Sequence, residues 1–212
     1  WVVEHRSKLI AAGIAIAIIL LLTVGGWFTY QYREQQANLK LGHALRTYDA
    51  PLNPPGLPPS GELSFNSAAE RAQAAHKEFA AIADQYSLTP SGKLARYFAA
   101  ITAIDMGQTA AAESQLKQVA NSGNKDLASL ARLALASLYR STNREGDAIK
   151  IYKELSENPS NSVPKSTALL ELAALYEPKQ PQEAARIYEQ IRKEDPKGAA
   201  AERANSRLAA LK

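Results

Sequence analysis

The chain has 212 residues, enough for one sizeable domain with appendages, and its 25 basic and 21 acidic side chains leave a net charge of +4. With both signs interspersed, that balance describes a solvated surface and excludes the one-signed footprint of a nucleic-acid binder. Cysteine is absent, which excludes disulfides and thiolate metal sites and is easier to explain outside the cytoplasm.

The chain opens at Trp1 rather than at methionine, which leaves room for residues ahead of it. From Leu9 to Phe28 there is no charged residue, only LIAAGIAIAIILLLTVGGWF. Twenty residues in a helix span about 30 Å, the thickness of a bilayer's hydrocarbon core. A secretory signal has a shorter apolar stretch and a small-x-small cleavage site. The segment therefore reads as an uncleaved transmembrane anchor, with Trp27, Phe28, Tyr30 and Tyr32 forming an aromatic belt at its end. Gly13 and Ala17 either allow close helix contact in the membrane or simply face lipid. Glu4, Arg6 and Lys8 give the leading flank +1, and Arg33, Glu34 and Lys40 give the trailing flank +1, so the positive-inside rule barely chooses. A single anchor ahead of a large domain favours the N-terminus inside and the domain outside.

Past the anchor the helix is expected to continue. Ala37, Leu41, Ala44, Leu45 and Tyr48 form an apolar stripe at helical spacing. That stripe suits the membrane surface, a partner helix or a fold-back onto the rest of the chain. Residues 51–61, PLNPPGLPPSG, carry five prolines and read as a semi-rigid polyproline linker separating anchor from domain.

Helical hairpins follow. Asn66 or Ser67 caps the first helix, with Glu70 completing a capping-box pattern. Pro90 and Ser91 start the next, Gly107 breaks it, and Thr109 is expected to cap its partner. Helices are then expected over 126–141 and 148–157, up to Tyr176 ahead of Pro178, and up to Asp195 ahead of Pro196. A last helix over 199–211 offers Glu202, Arg203 and Arg207 as a polar outer cap.

These hairpins repeat. Ala112, Leu116 and Val119 recur 36 residues later as Ala148, Tyr152 and Leu155, and after another 36 as Ala184, Tyr188 and Ile191. Ala75, Phe79 and Ile82 precede them with the same internal spacing. Offsets of four and seven place each trio on one helix face. Leu135, Ala136 and Tyr139 likewise recur as Leu172, Ala173 and Tyr176. A unit of this length cannot bury its own apolar face, so neighbours must stack into a solenoid.

The run LALASLYRSTNREGDAIKIYKEL, and after it LLELAALYEP, EAARIYEQI and DP, resemble tetratricopeptide repeats. A first, degenerate unit has Ala103 where the others have Tyr, and all three lack the family's early Trp. The resemblance covers roughly residues 67–196. The whole layout of short N-terminus, single anchor, helix and degenerate repeats is similar to the YfgM-like family. That resemblance implies a single pass through the bacterial inner (cytoplasmic) membrane, a periplasmic repeat domain, and association with the secretory translocon and with chaperones for exported proteins.

The expected fold is thus all-α, an N-terminal transmembrane helix followed by a short tetratricopeptide-like α-solenoid. Its parts are a flank at 1–8, an anchor at 9–30, a juxtamembrane helix at 31–49, a Pro-rich linker at 50–66 and repeats with a capping helix at 67–212. Chemistry is scarce. There is no Ser/His/Asp or Cys/His set, no glycine-rich phosphate loop and no HExxH. His5, His43 and His76 show no ligand spacing, and Glu154 with Glu157 falls on a solvated face. The chain is expected to be no enzyme, and to use no cofactor, nucleic acid or small-molecule substrate.

Binding is the better reading. In tetratricopeptide stacks the first helix of each pair lines a concave groove. The resemblance therefore assigns Leu94, Tyr97 and Ile101, then Leu130, Leu133 and Ser137, then Thr167, Leu170 and Ala174 to partner binding. The segment DLASLARLALASLYRS is apolar nearly all round, so it is either enclosed or has a spare face for an apolar peptide. Two functions fit. One is a membrane-anchored module holding client or partner proteins near a membrane machine such as the translocon. The other is a permanent structural or assembly subunit of a larger membrane complex.

Overall fold

A computed structural model of the chain describes residues 6–54 and 63–211, with side chains from residue 13 onward. His5 and most of the Pro-rich run lie outside the described residues. Among those described, nine α-helices follow one another: α1 (Arg6–Tyr48), α2 (Ala68–Gln85), α3 (Pro90–Asp105), α4 (Thr109–Ala120), α5 (Lys125–Ser141), α6 (Glu145–Glu157), α7 (Lys165–Tyr176), α8 (Pro181–Glu194) and α9 (Ala199–Ala210). The observed fold is the expected one, all-α with a long apolar N-terminal helix and a solenoid of hairpins.

α1 is one unbroken helix of 43 residues, about 65 Å long at 1.5 Å per residue. Its first half is long and apolar enough to cross a membrane. From Ile14 to Phe28 its large apolar side chains stand exposed, from 50 % at Val24 to 74 % at Leu21. The hydroxyls of Thr23 and Thr29 donate to the carbonyls of Leu20 and Gly25, so neither needs water.

The second half of α1 behaves differently. Ala37, Leu41 and Ala44 are buried against Ala75, Phe79, Ile82 and Ala83 of α2 and Ala95 and Ala99 of α3. Of the placements open to the 31–49 stripe, the fold-back is the one observed. Polar contacts run the length of the joint. The Glu34 carboxylate accepts from Ser91 Oγ at 2.7 Å and Ser91 N at 3.2 Å. Lys40 donates to Gln85 Oε1 at 2.8 Å, while His43 and Thr47 bond Glu78 at 2.8 and 3.0 Å. So α1 ends as the first helix of the first pair, with α2 as its partner. Of the linker expected at 50–66, residues 55–62 lie outside the described residues, and the two ends that are described meet. Asn53 N donates to Phe65 O at 2.8 Å and Phe65 N to Pro51 O at 3.1 Å, which ties the loop's two ends together.

Each following helix packs on its predecessor, giving pairs α3–α4, α5–α6 and α7–α8 closed by α9. All four repeat trios are buried, none of their members more than 4 % exposed. The alanines let helices approach, and the aromatic or leucine four residues on fills the space beside them. Turn chemistry follows the repeat too. Gly107 and Asn143, at φ +72 and +60, end α3 and α5 in the left-handed region. Gln108 N and Arg144 N then reach back to Ala103 O and Tyr139 O, each at 2.8 Å. Between α7 and α8 the spacing from Tyr176 to Ala184 is one residue shorter than from Tyr139 to Ala148, and the chain passes through Gln180 at φ −141 instead, with Pro181 opening the helix.

Some helix starts differ from expectation. Thr109 is the first residue of α4 and Gln108 holds the cap position without a side-chain bond. α5 starts at Lys125, capped by Asn124, whose Oδ1 accepts from Leu127 N. α6 starts at Glu145, three residues ahead of expectation, because the Asn143 turn completes early. Ser67 caps α2, and Glu70 reaches back to Asn66 N at 3.0 Å.

Because α1 covers the Phe79 and Ile82 face, a fragment of residues 63–212 should aggregate or melt well below a fragment of residues 33–212. Size-exclusion chromatography and circular-dichroism melts of the two fragments make the comparison. Equal melting temperatures would show that α1 is not part of the folded unit.

Candidate functional site

First helices of successive pairs touch one another, α1 with α3, α3 with α5 and α7 with α9, whereas α2, α4, α6 and α8 make no comparable contact among themselves. Between α5 and α7, Arg140 Nη1 donates to Glu171 Oε2 at 2.9 Å. A stack whose first helices approach more closely curves toward them. The inner wall is therefore made by α3, α5, α7 and α9.

The nine assigned residues are all half-buried, neither sealed in the core nor free in solvent. They do not form one continuous patch of equal character. Tyr97 packs edge-on against Phe98 at 5.4 Å, and Phe98 stacks on Phe79 at 5.1 Å with Tyr48 of α1 beside it. Burial pushes the Tyr97 phenol above its usual range, with Tyr48 nearby adding to the effect. Leu94 bridges the α1–α3 cluster and the main core. Leu130 and Leu133 lean on Leu155, Val163 and Ala168 where α5, α6 and α7 meet. Ser137 Oγ lies 3.3 Å from the Tyr152 hydroxyl at the base of that joint.

Leu170 and Ala174 stand elsewhere. With Arg140, Glu171, Tyr188, Arg203, Ser206 and Arg207 they line an open cavity of about 400 Å³ between α5, α7 and α9. Its floor is apolar and its rim cationic. Arg140 is held by Glu171, and Arg207 donates from Nε to Glu177 Oε1 at 2.8 Å. Arg203 has no carboxylate partner among the described residues. The Tyr188 hydroxyl donates to Glu177 Oε1 at 2.6 Å, and burial together with that bond raises the phenol to about 12. It stays a neutral donor at any working pH.

The arginines of this cavity are what sequence reasoning missed. Arg203 and Arg207 read as an outer cap, yet both lie along the inner wall, because α9 stacks on α7 in first-helix register. The available signal was Arg140, three residues beyond Ser137 and hence on the same face of α5. Among the described residues no three His, Asp or Glu side chains converge to hold a metal ion.

A family model described as a tetratricopeptide repeat-like domain matches residues 4–162, from the start of α1 to the loop after α6. No curated protein matches the chain. Two crystal structures share its architecture. One holds the nearly identical TPR-like repeats of a Podosopora anserina protein described as a kinesin light chain. It is 16% identical, with a TM-score of 0.60 over 84% of this chain and 86% of that one. The other, a point variant of the same repeats, is 15% identical with a TM-score of 0.60 over 84% and 85%.

One substitution type separates core from wall. Ala148→Leu and Ala184→Leu enter filled helix joints and should each cost roughly 1–3 kcal/mol, the usual result of overpacking. Ala174→Leu enters the open cavity and should leave the melting temperature near that of the parent. Thermal melts of the 33–212 fragment compare the three. A large loss for Ala174→Leu, or none for the other two, would contradict the assignment of wall and core.

Proposed function

Because the chain belongs to the tetratricopeptide repeat-like domain family, a fold that serves as a protein–protein interaction module, we propose that it is a membrane-anchored holder of partner proteins. α1 crosses the bilayer through its exposed apolar half, and the solenoid receives a partner segment on its inner wall. The carrying observation is the joining of these two parts in one helix. The same α1 that is apolar and exposed from Ile14 to Phe28 is buried in the repeat core from Ala37 onward.

The partner-binding residues on this reading are Leu94, Tyr97, Ile101, Leu130, Leu133, Ser137, Thr167, Leu170 and Ala174, with Arg203 at the rim. They suit a partner segment with apolar side chains and a carboxylate. The partners are clients or subunits of a membrane machine, the secretory translocon among them. The setting is the bacterial inner membrane, with the repeats on the periplasmic side. The resemblance in layout to YfgM-like proteins and the absence of cysteine support that placement.

Partner binding is tested in mild detergent with the full chain. Ala174→Trp combined with Arg203→Glu should reduce the yield of co-purifying protein roughly tenfold, as loss of an interface anchor does. Circular dichroism of the variant should match the parent. An unchanged set of co-purifying proteins at unchanged yield would remove the inner wall from the reading.

Sidedness has its own test. Gly123 is exposed, with open space around an added side chain. In cells with a permeabilised outer layer and an intact inner membrane, Gly123→Cys should react with an impermeant maleimide. Reaction only after lysis would place the repeats in the cytoplasm.

A further inference from the structure

The turn between α2 and α3 is the lowest point of the first pair, on the side from which α1 arrives. α2 runs antiparallel to α1. Thr47 and His43 meet Glu78, Lys40 meets the Gln85 side chain, and Arg33 donates to the Gln85 carbonyl. The chain then reverses through Tyr86 and Thr89 into α3, where Ser91 binds Glu34. Residues 85–91 are thus level with Arg33 and Glu34, only about 8 Å along the helix from Phe28. Helical side chains also lean toward the helix N-terminus, so the atoms that Arg33 reaches lie nearer the apolar half than its own Cα.

At this level α1 carries exposed Trp27, Phe28, Tyr30 and Tyr32, side chains that sit at the headgroup layer of a bilayer. The α2–α3 turn carries Leu88, between Gln85 and Ser91, which are tied to Arg33 and Glu34 just past these rings. Leu88 is 81 % exposed, the highest value among the exposed large apolar side chains of the described residues, the apolar half of α1 included. The turn holds it there rigidly. Thr89 N and Oγ1 both donate to Tyr86 O, at 2.9 and 3.0 Å, and Thr89 Oγ1 accepts from Gly92 N at 3.1 Å. A Cβ on Gly92 would lie 1.9 Å from Tyr86 O, so only glycine lets α3 close on the turn. Arg33 and Lys40 flank the Tyr86 ring at 5.7 and 5.1 Å and place positive charge at the same height.

We infer that the α2–α3 turn is a second membrane contact, with Leu88 inserted among the lipid headgroups next to the aromatic belt of α1. The occupant is a lipid surface, and the inference rests on the reading of α1 as a membrane span. A short apolar wedge beside a span resists tilting of the solenoid, since leaning away withdraws Leu88 from the lipid. It also explains why so exposed a leucine stands on a turn whose shape is otherwise fixed by capping bonds.

The absence of cysteine from the sequence makes the test direct. Leu88→Cys, Leu21→Cys and Gly146→Cys in the full chain each take one fluorophore, and each protein is reconstituted into phosphatidylcholine–phosphatidylglycerol vesicles. All three positions are exposed, and Gly146 lies at the opposite end of its hairpin from the inter-pair turns. Lipids carrying a nitroxide near the headgroup should remove most of the emission at position 88, and deep nitroxides most of that at position 21. Emission at position 146 should be untouched. Quenching at 21 with a bright label at 88 would overturn the wedge and leave the span standing. A bright label at 21 would overturn the span, and the wedge with it.

Discussion

Everything in this molecule depends on apolar helix faces that no single hairpin can cover. Each second helix carries an alanine, an aromatic or leucine four positions on, and an aliphatic three beyond that, and this face is sealed only by the helices on either side. A stack built this way has two open ends. At the C-terminal end α9 covers α8 with Ala201 and Ala204 and leaves its polar side chains exposed. At the N-terminal end the cover is α1, through Ala37, Leu41 and Ala44. The membrane-spanning candidate is therefore also a structural member of the repeat domain, and removing it uncovers a core face.

Charge reinforces the joints without driving them. Glu113 of α4 is held down to about 2 by Lys117, with Arg144 and the Tyr139 hydroxyl adding to the effect, against the opposing pull of burial. Arg144 lies over the Tyr139 ring at 3.9 Å, so one cation serves both the carboxylate and the aromatic. A carboxylate with a depressed folded value stabilises most above its ordinary range near 4.5 and loses that contribution as pH falls toward 2. Neutral conditions thus keep this brace at full strength. Glu177 plays a parallel part between α7 and α9, gripping Arg207 and accepting from Tyr188.

The repeat was legible in the sequence because its signal is periodic. Alanine at the joints and tyrosine at Tyr139, Tyr152, Tyr176 and Tyr188 recur at near-constant spacing, and every member is buried. The stripe at Ala37, Leu41 and Ala44 was visible as well, but not its destination, because an apolar face does not name what covers it. The Pro-rich run drew the eye to a spacer, while the pairing of Asn53 and Pro51 with Phe65 depends on backbone groups that composition does not show. The inner wall was legible as a register and not as a surface. Leu133 and Ala174 occupy equivalent helices, yet one leans on Val163 and the other opens into a cavity, a difference set by the 158–164 loop folding under α5.

The continuity of α1 has a kinetic side. With no hinge between the apolar half and the first pair, the proposed insertion of that half in a bilayer would leave the inner wall no freedom to swivel above it. Its height and bearing are set by one rod. On that proposal, a partner confined to the same membrane would search for it by lateral diffusion in a plane, at a matched elevation, rather than by tumbling in a volume. Encounter of that kind raises local concentration without any new contact. It also discriminates by geometry, since a segment emerging at the wrong height from its own membrane helix never reaches the wall, however well its side chains would fit.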